Sequence, residues 1–322
     1  MLTLEQIRSV TLGALEILEE DGFIRFNRFT KKQRDKLDLR NYQFHKYANS
    51  GMRMEFATKG GAVSFDFEGT RGCNSHTLGI TIVVNGTPVY NYHVENLPVS
   101  DAVLYRVPES ETPVHVSIYF PNMAGIRIRN VILPEDFAPV AKKRKLLAMG
   151  DSITQGFRAV FENHTYVNIL ADALDAEVVN QGLGGDVFYP DNLDPELPFA
   201  PDLITVAYGV NDWTQKILFT DRSRRYLERL TEIYPQTPVI MLLPIWCVGN
   251  LAVHDGHTLP EVRDFLREVA SHFPTVQVVD TVDFVPHLRE YYLPDGVHPN
   301  DLGFLYYGTR LAEYFKTHRI PE

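Results

Sequence analysis

Leu146-Leu147-Ala148-Met149-Gly150-Asp151-Ser152-Ile153-Thr154 is the stretch whose reading decides the fold. A short apolar run, preceded by the basic residues Lys142 to Lys145, stops abruptly at Gly-Asp-Ser. Such a run reads as a buried strand that delivers Ser152 to the carboxyl end of a sheet. A hydroxyl placed there is either a helix cap or a nucleophile. The rest of the chain has to decide between them.

Downstream, short apolar runs alternate with helical patterns. Val178-Val179 precedes Asn180, Leu203-Ile204-Thr205-Val206-Ala207 precedes Tyr208-Gly209, Val239 to Leu243 precedes Pro244, and Val276 to Val279 precedes Asp280. Helix patterns lie between them, near 164–175, 221–233 and 260–272. The alternation predicts an α/β fold whose parallel sheet is covered on both faces, with a ligand crevice beyond the carboxyl ends of the strands.

Upstream, Leu4, Ile7, Val10, Ala14, Leu15 and Leu18 recur at helical spacing, Thr3 and Gln6 form a capping box, and Asp21-Gly22 is a stop signal. This predicts an amphipathic helix over 4–20. From about Phe23 the period becomes two, through Met52, Met54 and Phe56, then Val63, Phe65 and Phe67, then Ile80, Ile82 and Val84, and later Val114 to Phe120. Turns rich in Gly, Asn and Pro separate these runs, which predicts an antiparallel β-sandwich. Asn85-Gly86 is the strongest hairpin signal. Leu133 to Pro139 breaks the pattern, so the expected organisation is a helix plus a jelly-roll-like sandwich over 1–138 and an α/β domain over 139–322.

Composition narrows the function. The 322 residues are 44% hydrophobic and 22% charged, the balance of an ordinary soluble globular protein. A net charge of −10 argues against nucleic acid or an anionic membrane as partner, because the summed field repels phosphates. Lys142 to Lys145 reads as a solvated linker. The N-terminus lacks a secretory pattern and no apolar run is long enough to span a bilayer, so a cytoplasmic location is expected. Cys73 and Cys247, the only cysteines, fall in different proposed domains and read as reduced thiols. His45, His76, His93 and His115 are scattered without ligand spacing, and His254-Asp255-Gly256-His257 reads as a surface turn. No metal or cofactor is expected. The first half offers no evident catalytic group, although Tyr42, Tyr47, Tyr90 and Tyr92 could line a sugar-binding face.

Four polar signals sit at the predicted strand ends. After Ser152 come the glycine-rich turn Asn180 to Gly185-Asp186, then Gly209-Val210-Asn211-Asp212, then Asp295-Gly296-Val297-His298. Each alone has a plain explanation as a cap or turn. Together they supply what acyl transfer needs: a nucleophile, Ser152; a base, His298; a carboxylate three residues away to orient it, Asp295; and oxyanion donors in the Gly185 N–H and the Asn211 amide.

In these ordered blocks the chain resembles the SGNH hydrolases, the GDSL esterases and lipases, over roughly residues 143 to 318. The resemblance implies a flavodoxin-like three-layer α/β/α fold, metal-independent ester hydrolysis and an oxyanion hole built from Ser152 N–H, Gly185 N–H and Asn211. Among Gly182, Gly184 and Gly185, the last, followed by Asp186, matches best. Ile153-Thr154 stands where leucine is common in the first block, a conservative departure. The Gly-x-Ser-x-Gly elbow of α/β-hydrolases is missing around Ser152.

The expected function is a serine esterase acting on a small acyl ester. A sandwich in front of such a domain also resembles two-domain carbohydrate esterases, which makes an O-acetyl sugar the expected substrate. The alternatives are a lysophospholipase or thioesterase sharing the triad, and a non-catalytic carbohydrate-binding protein. Asp151, Tyr189, Trp213 and Trp246 are candidates for lining the crevice, with packing roles equally open to the aromatics. The oligomeric state is not legible.

Overall fold

The protein was analysed as a computed structural model, in which residues 1–218 and 220–318 are described. Five parallel strands order as Ala176–Asn180, Arg144–Gly150, Leu203–Ala207, Val239–Leu242 and Val276–Val279. Their side chains alternate between two cores. Leu147, Met149, Ile204, Val206 and Met241 pack against the helices Arg222–Ile233 and Leu259–Ala270. Leu146, Ala148, Leu203, Ile240 and Leu242 pack on the other face against Tyr166–Ala173 and Asp301–Thr317. Burial on both faces explains why the strands read as unbroken apolar runs. Each such Leu, Ile, Val or Met side chain contributes roughly 1.5–3 kcal/mol by leaving water.

The strand order also places the crevice. From Arg144–Gly150 the chain winds outward to Ala176–Asn180, then returns across it to Leu203–Ala207 on the other side. The connections after Gly150 and after Asn180 through to Leu203 therefore splay apart at a topological switch point. Ser152 stands there.

Residues 11–139 contribute two antiparallel sheets. One orders Thr11–Leu12, Arg53–Thr58, Val114–Tyr119, Leu78–Val84 and Thr87–Val94, with Ala138–Pro139 also paired to Arg53–Thr58. The other orders Glu16–Glu20, Phe23–Asn27, Ala124–Ile132, Gly61–Arg71 and Val99–Val107. Met54, Phe56, Phe65, Phe67, Ile80, Ile118 and Ile128 fill the space between them. Asn85 and Gly86, both at positive φ, turn the expected hairpin.

The predicted helix over 4–20 is corrected. It is capped by Thr3 and Gln6 as expected but covers only Leu4–Val10. Gly13 takes φ +82 so that the chain can pass close to Gly51 and Val178, and Glu16–Glu20 then pairs with Phe23–Asn27. Asp21 and Gly22, at φ +51 and +74, form a two-residue hairpin turn, not a helix stop. A helix over Lys31–Leu39 and the strand Val99–Val107 went unpredicted. Cys73 and Cys247 are buried and free. Among the described residues no helix is long and apolar enough to cross a membrane.

The two halves are joined through polar contacts. Arg28 is fully buried and donates from Nε to the Ala48 carbonyl, from Nη2 to that of His45, and from Nη1 to those of Asn180 and Gly182. Burial lowers its pKa to about 9. One guanidinium thus ties segment 45–48 of the N-terminal half to the glycine-rich turn of the other. Gln33, on Lys31–Leu39, bonds the Gln181 side chain at 3.0 Å, and Thr30 Oγ1 donates to Asp194 at 2.6 Å.

Candidate active site

Ser152 is the first residue of the four-residue helix Ser152–Gln155 that follows the central strand. Gly150 permits the sharp exit, since a Cβ there would lie 2.0 Å from Thr154 Oγ1 and 2.7 Å from the Ala207 carbonyl. Asp151, not Ser152, is the cap: its carboxylate accepts the Ile153 N–H at 3.0 Å. That frees the Ser152 hydroxyl.

Ser152 Oγ lies 2.7 Å from His298 Nε2, and His298 Nδ1 lies 2.8 Å from Asp295 Oδ2. The other Asp295 oxygen accepts the backbone N–H groups of Val297 and His298 at 2.8 and 3.0 Å. Partial burial opposes ionisation of Asp295, yet these two N–H donors and the imidazole outweigh it and hold its pKa below the ordinary carboxylate value. Phe157, which the sequence reading passed over, lies against the His298 ring with centroids 4.3 Å apart.

The glycine-rich turn is fixed by its own hydrogen bonds. Gly182 N–H donates to Asn180 Oδ1, Leu183 N–H to the Gly150 carbonyl, Gly184 N–H to Gln155 Oε1 and Asp186 N–H to the Leu183 carbonyl. Among the described residues the Gly185 N–H has no protein acceptor, and Gly185 adopts φ +82. Asn211 belongs to the short helix Val210–Thr214, and its amide donates one N–H to the Asp186 carbonyl at 3.0 Å. The four sequence blocks thus converge on one place.

Beneath this turn lie three buried carboxylates. Asp151 and Asp212 are each pushed up to about 7, by burial first and by neighbouring acids, against the N–H bonds they accept from Ile153 and Phe188. Asp186 is also raised by burial, with Arg40 opposing at 2.6 Å. Arg40 comes from the N-terminal half and lies over the Tyr189 ring, 3.8 Å from its centroid.

The expected crevice residues divide. Asp151 is 5% exposed, and one of its carboxylate oxygens is engaged as the cap of Ser152–Gln155. Trp213 is 4% exposed in the core and its indole N–H donates to the His257 carbonyl, so it is a packing residue. Tyr189 is half-buried under Arg40, and Trp246 stacks on His287 at 5.1 Å. Meanwhile the N-terminal half, which showed no evident catalytic group, sends Tyr42 and His45 to the glycine turn. The Tyr42 hydroxyl lies 3.8 Å from the point a Gly185 Cβ would occupy, and His45 Cδ2 lies 3.8 Å from the corresponding point on Gly184. No spacing in the sequence could show this, because the contact is between distant segments.

Residues 148–304 match the GDSL-like Lipase/Acylhydrolase family. No curated protein matches the chain in sequence. Among solved structures, the salicylyl-acyltransferase SsfX3 from a tetracycline biosynthetic pathway is similar with a TM-score of 0.79, at 18% identity over 95% of this chain and 94% of that one. A family two carbohydrate esterase from Clostridium thermocellum, in complex with cellohexaose, gives 0.61 at 17% identity over 84% and 93%. The acetyl xylan esterase Est2A from the rumen bacterium Butyrivibrio proteoclasticus gives 0.60 at 17% identity over 93% and 96%. At these identities the likeness is one of fold, and it spans both halves. The expected fold class, a β-rich region followed by a parallel-sheet α/β domain, stands, and the match to the GDSL-like lipase/acylhydrolase family lies in residues 148–304 of the parallel-sheet half.

Proposed function

We propose that the protein is a serine esterase that removes a small acyl group, in particular an O-acetyl group, from a carbohydrate. The observation that carries this reading is the unbroken chain of contacts Ser152–His298–Asp295 at 2.7 and 2.8 Å. With Asp295 accepting the Nδ1 proton, His298 Nε2 is left as the acceptor for the serine proton. Ser152 Oγ attacks the ester carbonyl as its proton passes to Nε2. The imidazolium then returns that proton to the departing alcohol, and water repeats the sequence on the acyl-enzyme. The uncommitted Gly185 N–H, the Ser152 N–H and the second N–H of Asn211 are the donors for the oxyanion.

The substrate class rests on the surroundings. His45, Tyr42 and Asn211 give the nucleophile polar neighbours, which suit a hydroxylated ester better than a bare alkyl one. Of the similar folds, one is named a family two carbohydrate esterase and one an acetyl xylan esterase. One observation favours a second reading as an acylhydrolase for longer chains. Val248, Leu251 and Val253 are 48, 73 and 63% exposed, on a segment anchored by the Val248 N–H to the Gly296 carbonyl beside the triad.

Rates on p-nitrophenyl esters of increasing length, beside acetylated mono- and oligosaccharides, decide between these. Acetate release from sugars by the wild type and none by Ser152→Ala is the expected result. Preference for long acyl chains moves the assignment to the second reading. Equal turnover by Ser152→Ala removes the nucleophile. Added polyol measures whether the acyl-enzyme also passes to a hydroxyl, the reaction class named for the similar acyltransferase.

A further inference from the structure

His45 is the second imidazole at the nucleophile. A Cβ on Gly184 would lie 3.8 Å from His45 Cδ2 and 3.9 Å from Ser152 Cβ, so both side chains border the same space over Gly184. His45 is 6% exposed. Its Nδ1 is buried without a hydrogen-bond partner, and among the described residues its Nε2, next to Cδ2, bonds no protein atom. The ring is held from outside: the His45 carbonyl accepts Arg28 Nη2, and the Tyr42 ring meets the imidazole edge-on at 5.1 Å. Burial, with Arg28 and Arg71 adding to it, lowers the pKa of His45 to about 4, so the imidazole is neutral near pH 7 and has one donor and one acceptor.

A buried polar atom without a partner costs stability. An imidazole in that condition, fixed beside a nucleophile by another part of the chain, is arranged for something that arrives with the substrate. An acetyl group has no polar atom beyond the carbonyl oxygen that the oxyanion donors occupy. What remains to be recognised is the alcohol portion.

We propose that His45, with the Tyr42 hydroxyl beside Gly185, forms a binding site for hydroxyl groups of the polyol that carries the ester, so that the N-terminal half selects the alcohol while the C-terminal half performs the chemistry. The proposal rests on the esterase reading above. A neutral imidazole suits a sugar hydroxyl, which both donates and accepts, and Tyr42 supplies a second hydroxyl on the same wall. His45 contacts substrate but takes no part in proton transfer, because His298 already serves Ser152.

The test compares wild type, His45→Phe, His45→Gln and Tyr42→Phe on p-nitrophenyl acetate, whose leaving group has no such hydroxyls, and on glycerol monoacetate and monoacetylated xylose. His45→Phe is expected to lower kcat/KM on the polyol acetates about tenfold or more, the effect of a lost hydrogen bond, while p-nitrophenyl acetate changes less than about twofold. His45→Gln, which keeps a donor and an acceptor, should recover part of the loss. Tyr42→Phe should show the smaller selective loss of one hydroxyl. Thermal unfolding separates binding from structure: His45→Phe removes an unpartnered buried nitrogen and should leave the melting temperature unchanged or raise it. Equal losses on all esters, or a lowered melting temperature with preference retained, overturn the proposal alone. A wild type that hydrolyses p-nitrophenyl acetate but shows no preference for polyol acetates overturns both this proposal and the carbohydrate assignment. A wild type without esterase activity overturns the hydrolase reading and this proposal with it.

Discussion

The Arg40 guanidinium meets the Asp186 carboxylate at 2.6 Å, and the carbonyl of that same Asp186 accepts the Asn211 amide at 3.0 Å. A cation from the N-terminal half thereby steadies the turn against which Asn211, the proposed oxyanion donor, is set. The Asp186 side chain is 2% exposed and that of Arg40 is 14% exposed, so removing one partner leaves the other charge poorly solvated. Arg40→Met is expected to destabilise the protein by about 3 kcal/mol and to lower kcat, because the turn holding Gly185 and Asn211 loosens. Adding Asp186→Asn should restore part of the stability, since both charges are then gone. Urea unfolding of the single and double variants checks this, and full additivity would show that the two side chains act independently.

Asn211 spends one amide N–H on Asp186 and has one left. If Asn211 is the proposed oxyanion donor, Asn211→Ala removes a group that acts only as negative charge develops, so kcat should fall about 10²–10³-fold with KM nearly unchanged. Steady-state kinetics on p-nitrophenyl acetate read this directly. A rise in KM at constant kcat would place Asn211 in ground-state binding instead.

Asp295 has two separable tasks, one oxygen for the backbone of its own turn and one for the imidazole. In Asp295→Asn the amide oxygen can keep the Val297 and His298 N–H bonds while its NH2 faces Nδ1. That forces the proton to Nε2, where it blocks acceptance from Ser152. The expected result is a fall in kcat of about 10⁴ with the fold retained. Circular dichroism beside the rate measurement distinguishes a wrong tautomer from a collapsed loop.

What the sequence could show followed the range over which each signal acts. The parallel strands were legible because both faces of Arg144–Gly150 and its neighbours are buried, and the sandwich strands because one face is. The contacts among Ser152, His298 and Asp295, the proposed triad, were legible because Asp295 and His298 share one turn and Ser152 follows directly on a strand. The stretch 11–20 was misread because Ala14, Leu15 and Leu18 fit a helical period, whereas Gly13 and the Asp21-Gly22 turn impose a hairpin through pairing with Phe23–Asn27. For Trp213 the sequence left packing and a crevice contact equally open, because a tryptophan after Asn211-Asp212 is near the crevice in sequence, and its ring turns into the core. His45 and Arg28 were out of reach, since their significance comes from segments more than a hundred residues away.

Asp212 gives the protein a specific pH response. Its Oδ1 accepts the Phe188 N–H at 3.1 Å, while its Oδ2 is buried without a partner. Burial, aided by Asp186 and Asp151, raises its pKa from 3.8 to about 7, so the folded protein keeps a proton here that the unfolded chain releases. Between about pH 4 and 7 the native state binds more protons than the unfolded one, and stability falls with rising pH by this contribution. Below pH 4 both states are protonated and the contribution is intact; well above pH 7 both are ionised and the loss is complete. Asp212→Asn resembles the protonated acid at every pH. The variant should match wild type near pH 4 and exceed it at pH 8 by an amount on the order of a few kcal/mol, seen as a melting temperature several degrees higher. A difference between the two proteins that is constant from pH 4 to 8 would show that Asp212 does not change its charge over that range and would overturn the assignment.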